Sequence, residues 1–186
     1  VFLAGDFPPN VGGIQRYAYE LVRAVAGLGC ECVVIAPDRP GADSVDLALG
    51  CPVIRVAGGS GKARLAASMA LALRPLLRSL RPAAVVATKW MPEGPACLLA
   101  RAPSRYPMVL LAYGREFMPE PGRPVRRFLQ RRVLGAARLC LAISHYTADN
   151  LARSGVPRDR VRVIYGGVDP APFADPAAAD AGRELR

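Results

Sequence analysis

Short apolar runs recur along this chain, and most are separated by stretches long enough to form a helix. Each run has four or five residues, the length of a buried strand rather than of a buried helix. Strands that alternate with helices predict a parallel sheet covered by helices on both faces. The runs are Val1–Ala4, Cys32–Ala36, Val53–Val56, Ala84–Ala87, Met108–Ala112, Leu139–Ile143 and Val161–Tyr165.

The intervening stretches carry helical patterns. From Ile14 onward, apolar residues recur at a spacing that places them on one face of a helix, and Gly27 and Gly29 can end it. Four more helices are predicted at Ala63–Leu80, Pro95–Arg101, Pro124–Ala137 and Tyr146–Ser154. Pro75 lies inside the first of these, so we expect a kink or a restart there. Together these patterns predict an α/β, Rossmann-like fold.

Length and composition indicate one domain followed by a linker. The 186 residues suffice for a single compact unit, which we place at residues 1–169. From Pro170 onward, proline alternates with alanine and aspartate, so residues 170–186 are predicted to be a linker. The chain opens inside an apolar stretch without a preceding basic segment. We therefore expect no signal peptide and a natural start a few residues upstream of Val1.

The chain is strongly basic, which favours anionic partners. Its net charge is +10 and its pI is near 10.0, values that suit nucleic acid, anionic lipid or a phosphorylated ligand. The basic residues are not interleaved with the aromatic platforms that stack on bases, so we expect no nucleic-acid partner. The five cysteines, an odd number, mostly flank apolar segments and are typical of reduced thiols in a cytoplasmic protein.

A glycine-containing turn links the first predicted strand to the first predicted helix. Gly12 and Gly13 directly precede Ile14. Such a turn at the end of the first strand brings backbone N–H groups and the positive helix end together, where a phosphate can bind. The pair can also be no more than a loop turn. The G-x-G-x-x-G spacing of dinucleotide-binding proteins is absent.

Two longer motifs carry a resemblance to a known family. The first runs from Phe7 to Tyr17 (FPPNVGGIQRY), and the second from Ala142 through Val163–Asp169 (VIYGGVD). Both resemble segments of the family-four retaining glycosyltransferases with the GT-B fold, and the nearest likeness is to phosphatidylinositol mannosyltransferases. The resemblance implies that this chain is the N-terminal half of such a fold.

The family's site residues carry over by position. The resemblance implies that Gly12 and Gly13 meet the diphosphate of a nucleotide-sugar donor and that Gln15 and Arg16 bind the acceptor. Tyr113 and Glu116 stand in a segment that the family places at the sugar-transfer site. There many members read His-Gly-x-Glu, so Tyr113 replaces the histidine and retains a hydroxyl that can hydrogen-bond.

The implied activity is transfer of a sugar from a nucleotide diphosphate sugar to an acceptor hydroxyl, with retention of configuration and without a metal or other cofactor. A second, donor-binding domain is required and is not part of these residues, so we expect this chain alone to be inactive. The competing hypothesis is a non-catalytic Rossmann-like module that binds a phosphorylated ligand or an anionic membrane.

A basic segment offers a membrane hypothesis. Arg123, Arg127 and Arg131 share one row of the predicted helix, and Val125 and Phe128 lie on its other side. Such a helix can rest on an anionic membrane. It can equally be a solvated basic face on a helix whose apolar side packs on the sheet. We expect a cytoplasmic protein, and the membrane hypothesis implies peripheral attachment to the inner face of the membrane.

Overall fold

The computed structural model describes residues 1–59, 61–102, 105–117 and 124–167. They form a sheet of seven parallel strands with the spatial order β3-β2-β1-β4-β5-β6-β7. Every strand lies within one residue of a predicted apolar run, so the predicted α/β, Rossmann-like fold is confirmed. The strands are β1 (Phe2–Leu3), β2 (Val34–Pro37), β3 (Val53–Val56), β4 (Val85–Ala87), β5 (Met108–Ala112), β6 (Leu139–Ala142) and β7 (Val161–Val163).

The strand order reverses beside β1. β1 pairs with β2 on one side and with β4 on the other, so Phe2 lies opposite both Val34 and Val86. The chain first builds the sheet outward in one direction and then returns across it to continue in the other. In open parallel sheets of this kind, ligands bind outside the carboxyl ends of the strands where the order reverses. In this sheet that position lies at the ends of β1 and β4.

Six α-helices lie in the described ranges, and five of them were predicted from the sequence. The sixth, α2, was missed because it is short and buries only Ala42 and Leu49. Its boundaries have a clear signal, since Gly41 and Gly50 both adopt the left-handed conformation that favours glycine. The helices are α1 (Gly13–Gly27), α2 (Ala42–Leu49), α3 (Lys62–Ser79), α4 (Glu93–Leu99), α5 (Pro124–Ala136) and α6 (His145–Arg153).

Two hydrophobic cores lie on opposite faces of the sheet. Successive residues of β1 illustrate the alternation, because Phe2 belongs to one core and Leu3 to the other. Helices α1 and α2 cover the first core, and α3 to α6 contribute to the second. The chain returns from β3 to β4 through α3, which packs on the second face, and α4 to α6 follow on that face.

Helix α3 continues through Pro75 as one helix, without a restart. Proline removes the donor for the carbonyl group four residues earlier, which belongs to Leu71. The Leu71 side chain is 66% exposed, so water can reach this side of the helix. None of the helices in the described ranges combines the length and the apolar character needed to cross a bilayer. The predicted linker at residues 170–186 lies outside the described residues.

Candidate functional site

The glycine loop, residues 4–12, joins β1 to α1 at the carboxyl edge of the sheet. Helix α1 starts at Gly13, and its first turn contains neither a side-chain cap nor an acidic residue. Its first backbone N–H groups are thus left to bind an anion. A β-carbon added at Gly13 would meet no atom within 4 Å, so the space in front of this helix end is open to a ligand.

Gln15 lies next to the glycine pair, whereas Arg16 has a different partner. A β-carbon added at Gly12 would lie 3.1 Å from Cδ of Gln15, so the Gln15 amide covers this glycine. The Arg16 side chain is 78% exposed and pairs with Glu20 at 2.8 Å. Of the two residues predicted to bind the acceptor, the structure therefore brings Gln15 to the glycine pair and holds Arg16 in a surface ion pair.

The ends of β1 and β4 are joined by polar contacts that sequence reasoning missed. Lys89 after β4 forms an ion pair with Asp6 after β1. Glu93, at the start of α4, accepts a hydrogen bond from the Gly5 N–H at 2.7 Å and contacts the Thr88 hydroxyl at 3.2 Å. A charged residue two positions after the end of each apolar run, Asp6 after Ala4 and Lys89 after Ala87, was the available signal. The sequence could not show that these two runs are neighbours.

Glu93 is a fully buried carboxyl group. Burial raises its pKa to about 7, against the opposing effects of Lys89 and of the backbone N–H groups of Glu93 and Gly5. Within the described part of the chain its Oε2 atom has no hydrogen-bond partner. Burial therefore favours the neutral, protonated form of this carboxyl group more than in an exposed glutamate.

Tyr113 and Glu116 follow β5 at the same edge of the sheet. The Tyr113 N–H donates to Oε1 of Glu116 at 2.7 Å, and the Gln130 amide donates to the Glu116 carbonyl at 2.9 Å. One carboxylate oxygen of Glu116 therefore closes its own turn. The Tyr113 hydroxyl is buried and has no hydrogen-bond partner among the described residues, and burial raises the pKa of this phenol.

Tyr17 connects the two sequence motifs. The Tyr17 ring packs edge-on against the Tyr113 ring, with 5.7 Å between centroids. A β-carbon added at Gly166 would lie 3.8 Å from the Tyr17 ring. Tyr17 is also one helical turn after Gly13, about 6 Å along the axis of α1. Tyr17, which carried no predicted role, thus lies one helical turn from the glycine pair and beside both Tyr113 and Gly166 of the second motif.

The basic helix α5 departs from the arrangement that a core-packed helix would give. Val133 is buried, but Val125 is 78% exposed and Phe128 is 66% exposed. Arg127 and Arg131 are exposed on the same helix. Arg123 lies outside the described residues. In the described part of the chain, no three His, Cys, Asp or Glu side chains form a group that could hold a metal ion.

Comparison with solved structures supports the fold. The chain is similar to Anabaena HepE crystallised in complex with UDP (17% identity, TM-score 0.69) and to a glycosyltransferase from Rickettsia africae (16%, 0.67). Each match covers 99% of this chain and 48% of the other. A putative UDP-N-acetylglucosamine 2-epimerase from Listeria monocytogenes matches at 13% identity and a TM-score of 0.63, covering 86% of this chain and 43% of that one. The chain spans about half the length of these proteins.

Sequence comparison identifies the family. None of the curated proteins matches the chain significantly. The model of Glycosyltransferase Family 4, by contrast, matches residues 11–172. This range includes the glycine pair, Tyr113, the second sequence motif and the first motif from Val11 onward, and it covers most of the 186 residues. The chain therefore belongs to Glycosyltransferase Family 4.

Proposed function

We propose that this chain is the acceptor-side domain of an enzyme that transfers a sugar from a nucleoside diphosphate sugar to an acceptor hydroxyl, with retention of configuration. Residues 1–169 would form this domain, and residues 170–186 would lead to a donor-binding domain. The observation that carries the proposal is the open N-terminus of α1 at the point where the strand order reverses. Membership of the family and the UDP bound to Anabaena HepE support the same interpretation.

The glycine pair would stabilise the leaving diphosphate. Negative charge develops on the diphosphate as the bond to the sugar breaks, and fixed N–H dipoles at a helix start stabilise that charge. Gly13 leaves the space in front of these N–H groups open. Gln15, which covers Gly12, would then contact the acceptor close to the reacting sugar.

Tyr113 would orient the transferred sugar. Its hydroxyl is buried without a partner in the described chain, and burial without a hydrogen bond is costly. A sugar hydroxyl bound at this edge would supply that hydrogen bond. Glu116 would act by fixing the turn that carries Tyr113, since one of its carboxylate oxygens accepts from the Tyr113 N–H.

The test is sugar transfer by the protein that contains this chain, measured with radiolabelled UDP- and GDP-sugars. Gly13→Trp would fill the space in front of α1 and abolish transfer, whereas Gly27→Trp at the exposed other end of the same helix would leave it intact. We expect full activity in EDTA and no transfer by the 186-residue chain alone. Transfer that survives Gly13→Trp, or transfer by the isolated chain, would contradict the proposal.

We also propose that α5 attaches the protein to an anionic membrane. A helix whose apolar side packs entirely on the sheet would bury Val125 and Phe128, yet both are exposed beside Arg127 and Arg131. Exposed apolar residues next to arginines suit the boundary between lipid headgroups and acyl chains. Each arginine near the surface would contribute about 1 kcal/mol of salt-dependent attraction.

Vesicle co-sedimentation tests this attachment. We expect binding to vesicles that contain phosphatidylglycerol, weaker binding to phosphatidylcholine alone, and loss of binding as salt rises. Replacing both Arg127 and Arg131 by Glu should abolish binding, and replacing Val125 and Phe128 by Ser should weaken it at all salt concentrations. Equal binding to neutral and anionic vesicles would leave α5 as a solvated surface.

A further inference from the structure

We infer that Arg55 is a positioning residue that holds the glycine loop in the shape required to receive a diphosphate. This inference rests on the proposed function of the glycine pair. Arg55 lies on β3, two strands away from β1 in the sheet. Its side chain reaches past the end of β2 to the loop that follows β1.

The guanidinium group of Arg55 contacts three separate elements. It donates to the Pro8 carbonyl in the glycine loop at 3.0 Å and to the Pro37 carbonyl at the end of β2 at 3.0 Å. It also forms two hydrogen bonds with the Asp46 carboxylate on α2, at 2.6 and 3.0 Å. The Arg55 side chain is only 12% exposed, so these bonds are largely shielded from water and form a fixed arrangement.

Arginine is suited to this position for geometric reasons. Its planar group presents several N–H donors in fixed directions, so it can satisfy a carboxylate and two carbonyl groups at once. The same group also lies 5.7 Å from the centre of the Phe7 ring, and Phe7 is fully buried. A lysine would keep the charge, but its single nitrogen could not reach all of these partners together.

The glycine loop is held from its other side by contacts already described. Glu93 accepts from the Gly5 N–H and Lys89 pairs with Asp6. Arg55 then fixes Pro8 from the opposite direction. The first half of the loop is thus anchored by β3, β4 and α4, whereas Val11, just before the glycine pair, is 99% exposed.

Anchoring of the first half of the loop affects how the ligand binds. A phosphate-binding loop that already has its bound shape does not lose conformational entropy when the ligand arrives. Arg55 would supply this preorganisation without touching the ligand, because its contacts are to Pro8 rather than to the glycine pair. Its loss would therefore weaken donor binding more than it slows the chemical step.

The test compares Arg55→Lys with two controls. Asp46→Asn removes the charge on α2 but leaves the arginine available to Pro8 and Pro37. Arg158→Lys changes an arginine in an exposed pair with Asp149, where the two side chains are 80% and 48% exposed. Hydrogen exchange of the loop amides in the 186-residue chain measures anchoring without any ligand.

We expect loop amides to exchange about tenfold faster in Arg55→Lys, as for loss of one charge-assisted hydrogen bond. Asp46→Asn should have a smaller effect and Arg158→Lys none. In the protein that contains this chain, KM for the nucleotide sugar should rise about tenfold while kcat changes little. Unchanged exchange in Arg55→Lys, equal effects of Arg55→Lys and Asp46→Asn, or faster exchange with an unchanged KM would overturn the inference. A wild type that transfers no sugar, together with faster exchange in Arg55→Lys, would refute the proposed transfer and support the anchoring of the loop.

Discussion

Glu93 should make the stability of this fold depend on pH in a way that one substitution removes. Its pKa is raised from 4.5 to about 7, chiefly by burial. The folded state therefore binds the Glu93 proton more tightly than the unfolded state does. Its contribution to the free energy of unfolding falls as pH rises from about 4.5, and the loss is complete once pH passes about 7.

The size of the effect follows from the shift. Between pH 5 and pH 8, Glu93 should lower the free energy of unfolding by about 2 to 3 kcal/mol. Burial is complete, so solvent screening does not reduce this figure as it does at a surface. The charged groups that face Glu93 are Lys89 and Asp6, and Tyr113 and Cys97 also lie within electrostatic range.

Urea denaturation of wild type and Glu93→Gln at pH 5 and pH 8 measures this effect. The amide keeps an oxygen for the Gly5 N–H and cannot ionise. Trp90, the single tryptophan, lies three residues before Glu93 in the sequence. It is buried, so its fluorescence reports unfolding. The free energy of unfolding of Glu93→Gln, taken relative to that of wild type, should rise by about 2 to 3 kcal/mol between pH 5 and pH 8. Taking this difference between proteins cancels the titration of the other groups.

Glu31→Gln is the matched control, because it removes a carboxylate from an exposed position. The reasoning would be refuted if the pH-dependent difference for Glu93→Gln were below about 1 kcal/mol or had the opposite sign. An equal difference for Glu31→Gln would also refute it, since the effect would then come from the net charge and not from burial.

Three further substitutions test the packing and the site. Gly94→Ala should destabilise the fold by about 1 to 3 kcal/mol, because an added β-carbon would lie 2.9 Å from Cγ2 of Val133; chemical denaturation of both single variants and of Gly94→Ala with Val133→Ala should show partial rescue. Tyr113→Phe should not lower the melting temperature and should raise it, since it removes a buried hydroxyl that has no partner in the described chain, but it should lower kcat/KM at least about tenfold. Ser144→Ala should cost about 1 kcal/mol in thermal unfolding, because the Ser144 hydroxyl accepts from the Thr147 N–H at the start of α6.

Each of these three predictions has a contradicting result. Strict additivity of the Gly94 and Val133 substitutions would show that the two side chains do not meet. A Tyr113→Phe variant with lower stability and normal transfer would assign the hydroxyl a structural role. No loss of stability in Ser144→Ala would mean that water replaces this cap.

Local patterns in the sequence were enough to place the strands and most helices. Burial of a strand on both faces requires a short apolar run, and burial of a helix on one face requires a spacing of three and four residues. Both requirements act on neighbouring residues, so they can be read without knowing the fold. The glycine pair was found for the same reason, since its position between a strand and a helix is a local property.

The site's polar contacts depend on the order of the strands, which local patterns do not contain. β1 and β4 are separated by more than 80 residues along the chain but are neighbours in the sheet, and their contact joins Asp6 to Lys89 and Gly5 to Glu93. Arg55 similarly reaches Pro8 across 47 positions.

The sequence by itself determined that this chain forms a parallel α/β sheet with a glycine loop after its first strand. Only the tertiary structure decided which side chains hold that loop, that Tyr17 meets Tyr113, and that Val125 and Phe128 remain exposed. The physical reason is that periodicity fixes which face of an element is buried, whereas the partner of each face follows from how the crossover helices return the chain to the sheet.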